Sequence, residues 1–178
     1  MLMLGVVIEQ VTGQDYFSYI RENIYQRAGM LNSDSYEMDQ PITNLAMGYT
    51  AKDNQTGWTN NLFMHVIKGG PAGGGFSTVD DLHRFALALT HYKLLNKANT
   101  ELLYSAKPQL HSPNYGYGFA VKQGPQGTIV GHSGGFAGIS ANFDIYLDKG
   151  YIAIVLANYG RSSGPVIGKI NQLLSAVN

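Results

Sequence analysis

Thr128 to Gly138 reads TIVGHSGGFAG, and the rest of the chain is organised around it. A short apolar run, Ile129 and Val130, ends a strand and delivers His132 and Ser133 onto a glycine-rich turn of Gly131, Gly134, Gly135 and Gly138. Polar groups set on backbone that only glycine tolerates suggest a site. One chemistry for these letters is the nucleophile elbow G-x-S-x-G, matched from Gly131 to Gly135, in which a strained strand-to-helix turn exposes the serine hydroxyl. Chain order excludes it. Such a site needs an acid and then a histidine after its serine, and no histidine follows Ser133. The residues beyond are strand formers: Ile139 to Leu147 (ISANFDIYL), a turn at Asp148, Lys149 and Gly150, and a second apolar strand, Tyr151 to Ala157 (YIAIVLA). The motif therefore sits where one antiparallel strand turns toward the next.

Along that hairpin Phe143, Ile145 and Leu147 point one way and Tyr146 the other, while Ile152, Ile154 and Leu156 oppose Ala153, Val155 and Ala157. A sheet apolar on both faces needs cover on both sides. A C-terminal helix over Pro165 to Val177, with Val166, Ile170, Leu173 and Leu174 aligned, covers one face. The expectation for the other face and the strand edge is burial against another chain, in a homodimer or a swapped assembly.

Upstream, Tyr115 to Val121 alternates as a strand whose glycines allow close backbone approach, and Asn96 to Ala106 forms a helix that stops before Pro108. The run Lys68 to Gly75 invites comparison with a phosphate loop, but it lacks the G-K-[ST] ending and leads into Asp80 and Asp81, which repel phosphate. It reads instead as a tight turn before a capping box, with Ser77 or Thr78 as N-cap and Leu82, Phe85, Ala86 and Leu89 as the buried stripe of the helix that follows. Asn32 to Leu62 is irregular, with Asn54, Gly57, Asn60 and Asn61 as turn residues; Tyr36, Tyr49 and Trp58 read as aromatic anchors of this long loop, with substrate contact the alternative. At the start of the chain, Leu4, Val7, Ile8 and Val11 predict a buried helix closed by Gly13, and Asp15 caps a second helix that runs to about Arg27 and ends at Gly29.

Composition narrows the function classes. The 178 residues balance 12 lysines and arginines against 12 aspartates and glutamates, without the basic cluster a nucleic-acid partner requires. No cysteine is present, so disulfide and thiolate chemistry are excluded. His83 and His91 lie two helical turns apart and no H-E-x-x-H occurs, which predicts packed or surface histidines rather than a metal site; the same holds for His65 and His111, and no cofactor motif is found. The N-terminal MLMLGVVIEQVTG is too short and too soon polar for a membrane span or a signal peptide.

Taken in order, several stretches resemble one family. Leu4 to Met30, PAGGGFSTVDDLHRF (Pro71 to Phe85), YGYGFAV (Tyr115 to Val121), GHSGGFAGISA (Gly131 to Ala141) and IVLANYG (Ile154 to Gly160) resemble the class C β-lactamase and esterase-like branch of the serine β-lactamase and penicillin-binding-protein superfamily. His132, Ser133 and Gly134 are similar to its third motif, K-T-G or H-x-G, on an edge strand of the cleft. The resemblance implies an α+β fold, an antiparallel β-sheet flanked by α-helices, present here as one domain over residues 1–178 that forms the C-terminal part of a β-lactamase/transpeptidase-like domain. It implies a serine hydrolase acting on an amide or ester carbonyl, as β-lactamases, esterases and D-Ala-D-Ala carboxypeptidases do, through an acyl-enzyme. In that scheme Gly135 gives an oxyanion N–H, and His132 supports a tyrosine's proton transfer and the substrate carboxylate. Ser133 and Gly134 contact substrate. Histidine where many members carry lysine weakens any fixed positive field, which favours esterase or peptidase-like use over hydrolysis of an anionic β-lactam. The family's nucleophile motif S-x-x-K is not found, since no serine of the chain has lysine three residues on, and Y-x-N belongs before the first helix. The expectation is a chain inactive by itself that works with a front-half polypeptide; the alternative is a non-catalytic remnant or binding module of the same fold.

Overall fold

Leu2–Thr12 forms α1, closed by Gly13 in the left-handed region (φ 68°), whose N–H donates to the Glu9 carbonyl at 2.8 Å. The structure is a computed structural model that describes residues 1–52 and 56–176; Asn54, expected in a turn, and Val177, expected in the last helix, lie outside the described residues. The expectation that α1 is buried is corrected. Only Gly5 is buried, held so close to Pro71 that a Cβ would run into the proline ring, while Leu4, Val7 and Val11 are exposed. Apolar periodicity records that a face needs cover; it does not say where the cover comes from.

The described residues divide into two compact units, one of Met1–Met47 with Asn61–Leu94 and one of Gly48–Asn60 with Leu95–Asn178. In the first, Asp15 caps α2 (Tyr16–Ile20) by accepting from the Ser18 N–H at 2.9 Å. The expected single helix to Arg27 instead widens into a π-helical stretch, Arg21–Gln26, before Gly29 (φ 73°) stops it. Arg21 forks onto Asp34 through two hydrogen bonds of 3.0 and 3.1 Å, which ties this helix to the following loop. α3 (Val79–Thr90) is capped by Thr78, which accepts from the Asp81 N–H at 3.1 Å. Asp81 does not complete a reciprocal box. Its buried carboxylate accepts from the Asn32 N–H and the Ser33 hydroxyl, both at 2.7 Å, and so fastens the loop to the helix, while Ala86, Ala88 and Leu89 bury the α3 stripe.

The second unit holds a hairpin, a helix, a four-stranded meander and a closing helix. Tyr49–Ala51 (β1) and Trp58–Asn60 (β2) pair inside the segment expected to be irregular. α4 (Lys97–Tyr104) follows, capped by Asn96, which accepts from the Asn99 N–H at 2.9 Å. Ala120–Gly124 (β3), Gly127–Phe136 (β4), Ile139–Tyr146 (β5) and Tyr151–Ala157 (β6) form an antiparallel sheet in chain order. The strand expected over Tyr115 to Val121 begins only at Ala120, because the Gly116 N–H turns back to the Phe119 carbonyl and Gly118 takes a left-handed φ of 82°. α5 (Ser163–Ser175) lays Ile167, Ile170 and Leu174 against Ile129, Tyr146 and Ala153. That face is not wholly apolar: Ser140, Asn142 and Asp144 lie on it in line with Tyr146 along β5 and are buried with it. On the opposite face Val130 and Ile145 are buried. The architecture is α+β, an antiparallel sheet with helices.

Candidate active site

The turn expected at His132 to Gly135 is strand. β4 runs through those residues to Phe136, paired with β5 from Ile129↔Tyr146 to Phe136↔Ile139, and the turn comes at Ala137 and Gly138. Glycines that read locally as a turn are carried in the ladder by their partner strand. Two of them are demanded by packing. A Cβ at Gly131 would lie inside the van der Waals shell of the Phe143 carbonyl and the Asp144 carboxylate, and one at Gly138 (φ 71°) would come within 2.6 Å of the Tyr49 nitrogen. The other two are not, since among the described residues a Cβ at Gly134 meets nothing within 4 Å and one at Gly135 makes only an ordinary contact with the Ile139 carbonyl at 3.6 Å.

Where β4 has a second neighbour decides its chemistry. β3 pairs with β4 only as far as Ala120↔Gly131, so among the described residues no strand lies beside the far side of β4 from His132 onward. The Leu147 N–H donates to the Thr128 carbonyl at 2.9 Å across the β4–β5 pair. Alternation then sends the backbone groups of Thr128, Val130, His132, Gly134 and Phe136 to β5, and those of Ser133 and Gly135 to the open edge. A strand edge with outward N–H and C=O groups and no side chain on Gly135 can accept an extended ligand or hold an oxyanion.

His132 and Ser133 are neighbours in sequence but project to opposite faces of the sheet. The exposed His132 ring is held at both nitrogens: Nδ1 lies 2.7 Å from the Ser133 carbonyl oxygen and Nε2 lies 2.9 Å from the Tyr115 hydroxyl. The Tyr115 and His132 rings meet edge to face, with centroids 5.8 Å apart. Neither nitrogen serves the Ser133 hydroxyl, which agrees with excluding the elbow. Ser133 shares the other face with Asn142, its partner across the strand pair, and lines an open cleft of about 1160 Å³ with Gly134, Gly135, Trp58, Tyr159 and Arg161. Trp58 packs on Tyr159 at 4.4 Å between centroids as one wall of that cleft, and Tyr49 also lines it. Tyr36 instead packs on Phe76 in the first unit.

Ser140, Asn142 and Ser163, which line the cleft, and Asp144 and Tyr146 beyond them all have hydrogen-bond or ion-pair partners. Ser140 Oγ and Ser163 Oγ lie 2.5 Å apart, Asn142 donates to Asp144 at 2.9 Å, and Lys122 approaches Asp144 at 3.7 Å. The Tyr146 hydroxyl donates to Asn171 at 2.8 Å, and its pKa is raised, first by burial and then by the nearby Asp144 charge. Among the described residues no group of three or more histidine, aspartate or glutamate side chains is placed to hold a metal, and no helix is long and apolar enough to cross a membrane. His83, His91 and His111 are exposed, and His65 stacks on Phe76 at 6.0 Å.

The structure thus brings His132, Ser133, Gly134 and Gly135 together on one strand and splits them between two faces and an edge. Sequence reasoning missed Tyr115 and Arg161. The only signal for Tyr115 was its place in YGYGF, and nothing in its spacing from His132 fixes a contact between two residues on separate segments.

The chain matches the Beta-lactamase family model over residues 1–177. It is 30% identical over 173 residues to a penicillin-binding protein of Bacillus subtilis (strain 168), covering 88% of this chain and 38% of that protein. Among solved structures, a penicillin binding protein from Bacillus halodurans superimposes with a TM-score of 0.87 at 30% identity, over 96% of this chain and 53% of that one. A D-stereospecific amidohydrolase from Streptomyces sp. shares the fold, with a TM-score of 0.70 at 24% identity, over 89% of this chain and 49% of that one. The chain therefore spans about half or less of the length of these relatives.

Proposed function

The chain belongs to the Beta-lactamase family, and from that membership we propose that it supplies one wall of a serine-hydrolase site that cleaves an amide or ester carbonyl through an acyl-enzyme, with the attacking serine supplied from outside these 178 residues. The observation that carries this reading is the open edge of β4. Ser133 and Gly135 turn backbone groups outward there, and Gly134 and Gly135 are glycines that the packing of the chain does not require. The Gly135 N–H is the oxyanion donor in this proposal, and Ser133 and Gly134 contact the substrate. His132 supports proton transfer at the site through the Tyr115 hydroxyl on its Nε2. A second reading, a non-catalytic binding module of the same fold, is favoured by one feature: no serine here has lysine three residues on.

Intact mass of the purified chain after exposure to a penicillin probe and, separately, an activated ester separates these readings. The expected result is no adduct with the chain alone, and an adduct on the partner's serine once the front-half polypeptide of a family member is added. An adduct on Ser133 would overturn the assignment, and no adduct in the mixture would favour the non-catalytic module. The proposal extends to partners: a small amide or ester substrate, and a second copy or a front-half polypeptide against the exposed apolar surface.

A further inference from the structure

We propose that Tyr115 is a positioning residue that locks His132 as its Nδ1-protonated tautomer, so that Nε2 meets anything bound at the β4 edge only through the Tyr115 hydroxyl. The importance of that edge rests on the function proposed above; the tautomer itself rests on geometry alone. A backbone carbonyl can only accept, so the 2.7 Å contact between Nδ1 and the Ser133 oxygen requires a proton on Nδ1. A neutral imidazole carries one N–H, which leaves a lone pair on Nε2. The hydroxyl 2.9 Å away must then be the donor. Both ring nitrogens are thereby occupied, although the ring itself is exposed.

Tyr115 is built to stay there. Its own carbonyl accepts from Ser112 Oγ at 3.3 Å, the Gly116 N–H reaches the Phe119 carbonyl at 2.8 Å, and the Tyr117 N–H reaches the Leu103 carbonyl at 3.0 Å. On the other side of the hairpin the Val121 N–H reaches the Asn114 carbonyl at 2.8 Å. Gly116 is packed so tightly on the Leu103 carbonyl that a Cβ would overlap it, so the segment cannot drift toward α4. The edge-to-face contact of the two rings then sets the angle at which the hydroxyl meets Nε2.

Imidazole nitrogen correlation spectra of the uniformly ¹⁵N-labelled chain, with the ring neutral, test this without substrate. His132 is assigned as the set of signals lost in His132→Gln. The expected spectrum shows a protonated Nδ1 and an unprotonated Nε2; a protonated Nε2 would overturn the proposal. Tyr115→Phe keeps the ring contact and removes only the donor, so the tautomer ratio is expected to move toward Nε2–H by about five-fold, the equivalent of one neutral hydrogen bond. A ratio unchanged in a variant with a native backbone spectrum would also overturn it. Should that variant fail to fold, the spectrum of the unaltered chain still decides. Because no probe or partner polypeptide is involved, a failed labelling experiment and a failed tautomer measurement are separable.

Discussion

At the scale of single residues, the glycines of β4 divide into those the protein needs and those a ligand would need, and substitution distinguishes them. Gly131→Ala forces a methyl group into the Phe143 carbonyl and Asp144; overpacking of this kind costs about 1–3 kcal/mol. Gly134→Ala places its methyl in open space, and the stability change is expected to stay within about 0.5 kcal/mol. Urea midpoints of the two variants check the contrast, and equal losses would remove the argument that Gly134 is kept bare for something outside the chain. Tyr25 offers a titration. Burial, with smaller contributions from neighbouring Tyr16 and Asp34, pushes its hydroxyl up to about 12 from an ordinary value of 10.0. The folded state therefore holds a proton that the unfolded chain gives up first. The stability linked to Tyr25 is complete below about pH 10 and is lost as pH rises through about 12. Urea unfolding across that window is expected to show the decline, and Tyr25→Phe to flatten it.

At the scale of elements, the helix ends are held by short-range chemistry, and this is the part of the fold that could be read directly. Asp15, Thr78 and Gly13 act where their letters place them, because a cap needs only a neighbour two to four residues away. Thr78→Ala is expected to cost about 0.5–2 kcal/mol. Asp81→Ala is expected to cost more, since it orphans the Asn32 N–H at about 1–3 kcal/mol and leaves the Ser33 hydroxyl with Ser77 alone. Thermal or urea unfolding of the two variants gives the order. The hairpin of β5 and β6 was equally legible from its runs of strand formers and its Asp148-to-Gly150 turn, where Gly150 takes φ 71°. Other elements were not. β1 and β2 are three residues each and mostly exposed, too short to show a period. β4 hides its length because Gly134 and Gly135 carry no strand propensity, and only the ladder to β5 holds them extended. The candidate site was legible as a set of residues on one stretch, His132 to Gly135. The separation of His132 from Ser133 follows from the two-residue period once the strand is known, whereas the Tyr115 contact depends on tertiary placement that no local pattern encodes.

At the scale of the whole molecule, the apolar surface of the first unit is the feature without an internal explanation. Leu2, Met3, Leu4, Val7 and Val11 leave the α1 face exposed, and Phe63 (99% exposed), Leu31 (81%) and Ile67 (73%) add to the apolar surface of the same unit. Large exposed apolar surface marks a place where another surface belongs. Relatives that this chain spans by about half or less carry further chain of their own, and such chain, or a second copy, is the cover proposed above. The expected outcome is that the purified chain is not monomeric at micromolar concentration and forms a homodimer or a swapped assembly. Adding the front-half polypeptide of a family member is expected to convert that assembly into a heterodimer, because both compete for the same surface. Light scattering before and after the addition measures both steps. Charges introduced on the exposed face, Leu4→Lys with Val7→Glu, leave buried Gly5 untouched and are expected to weaken self-association at least ten-fold while leaving the helical content of α1 intact. A monomer at micromolar concentration with α1 folded would mean that exposed α1 and loop residues are tolerated in water, and the proposed assembly would fall. An assembly insensitive to the double charge change would instead move the interface away from α1, to the open edge of β4.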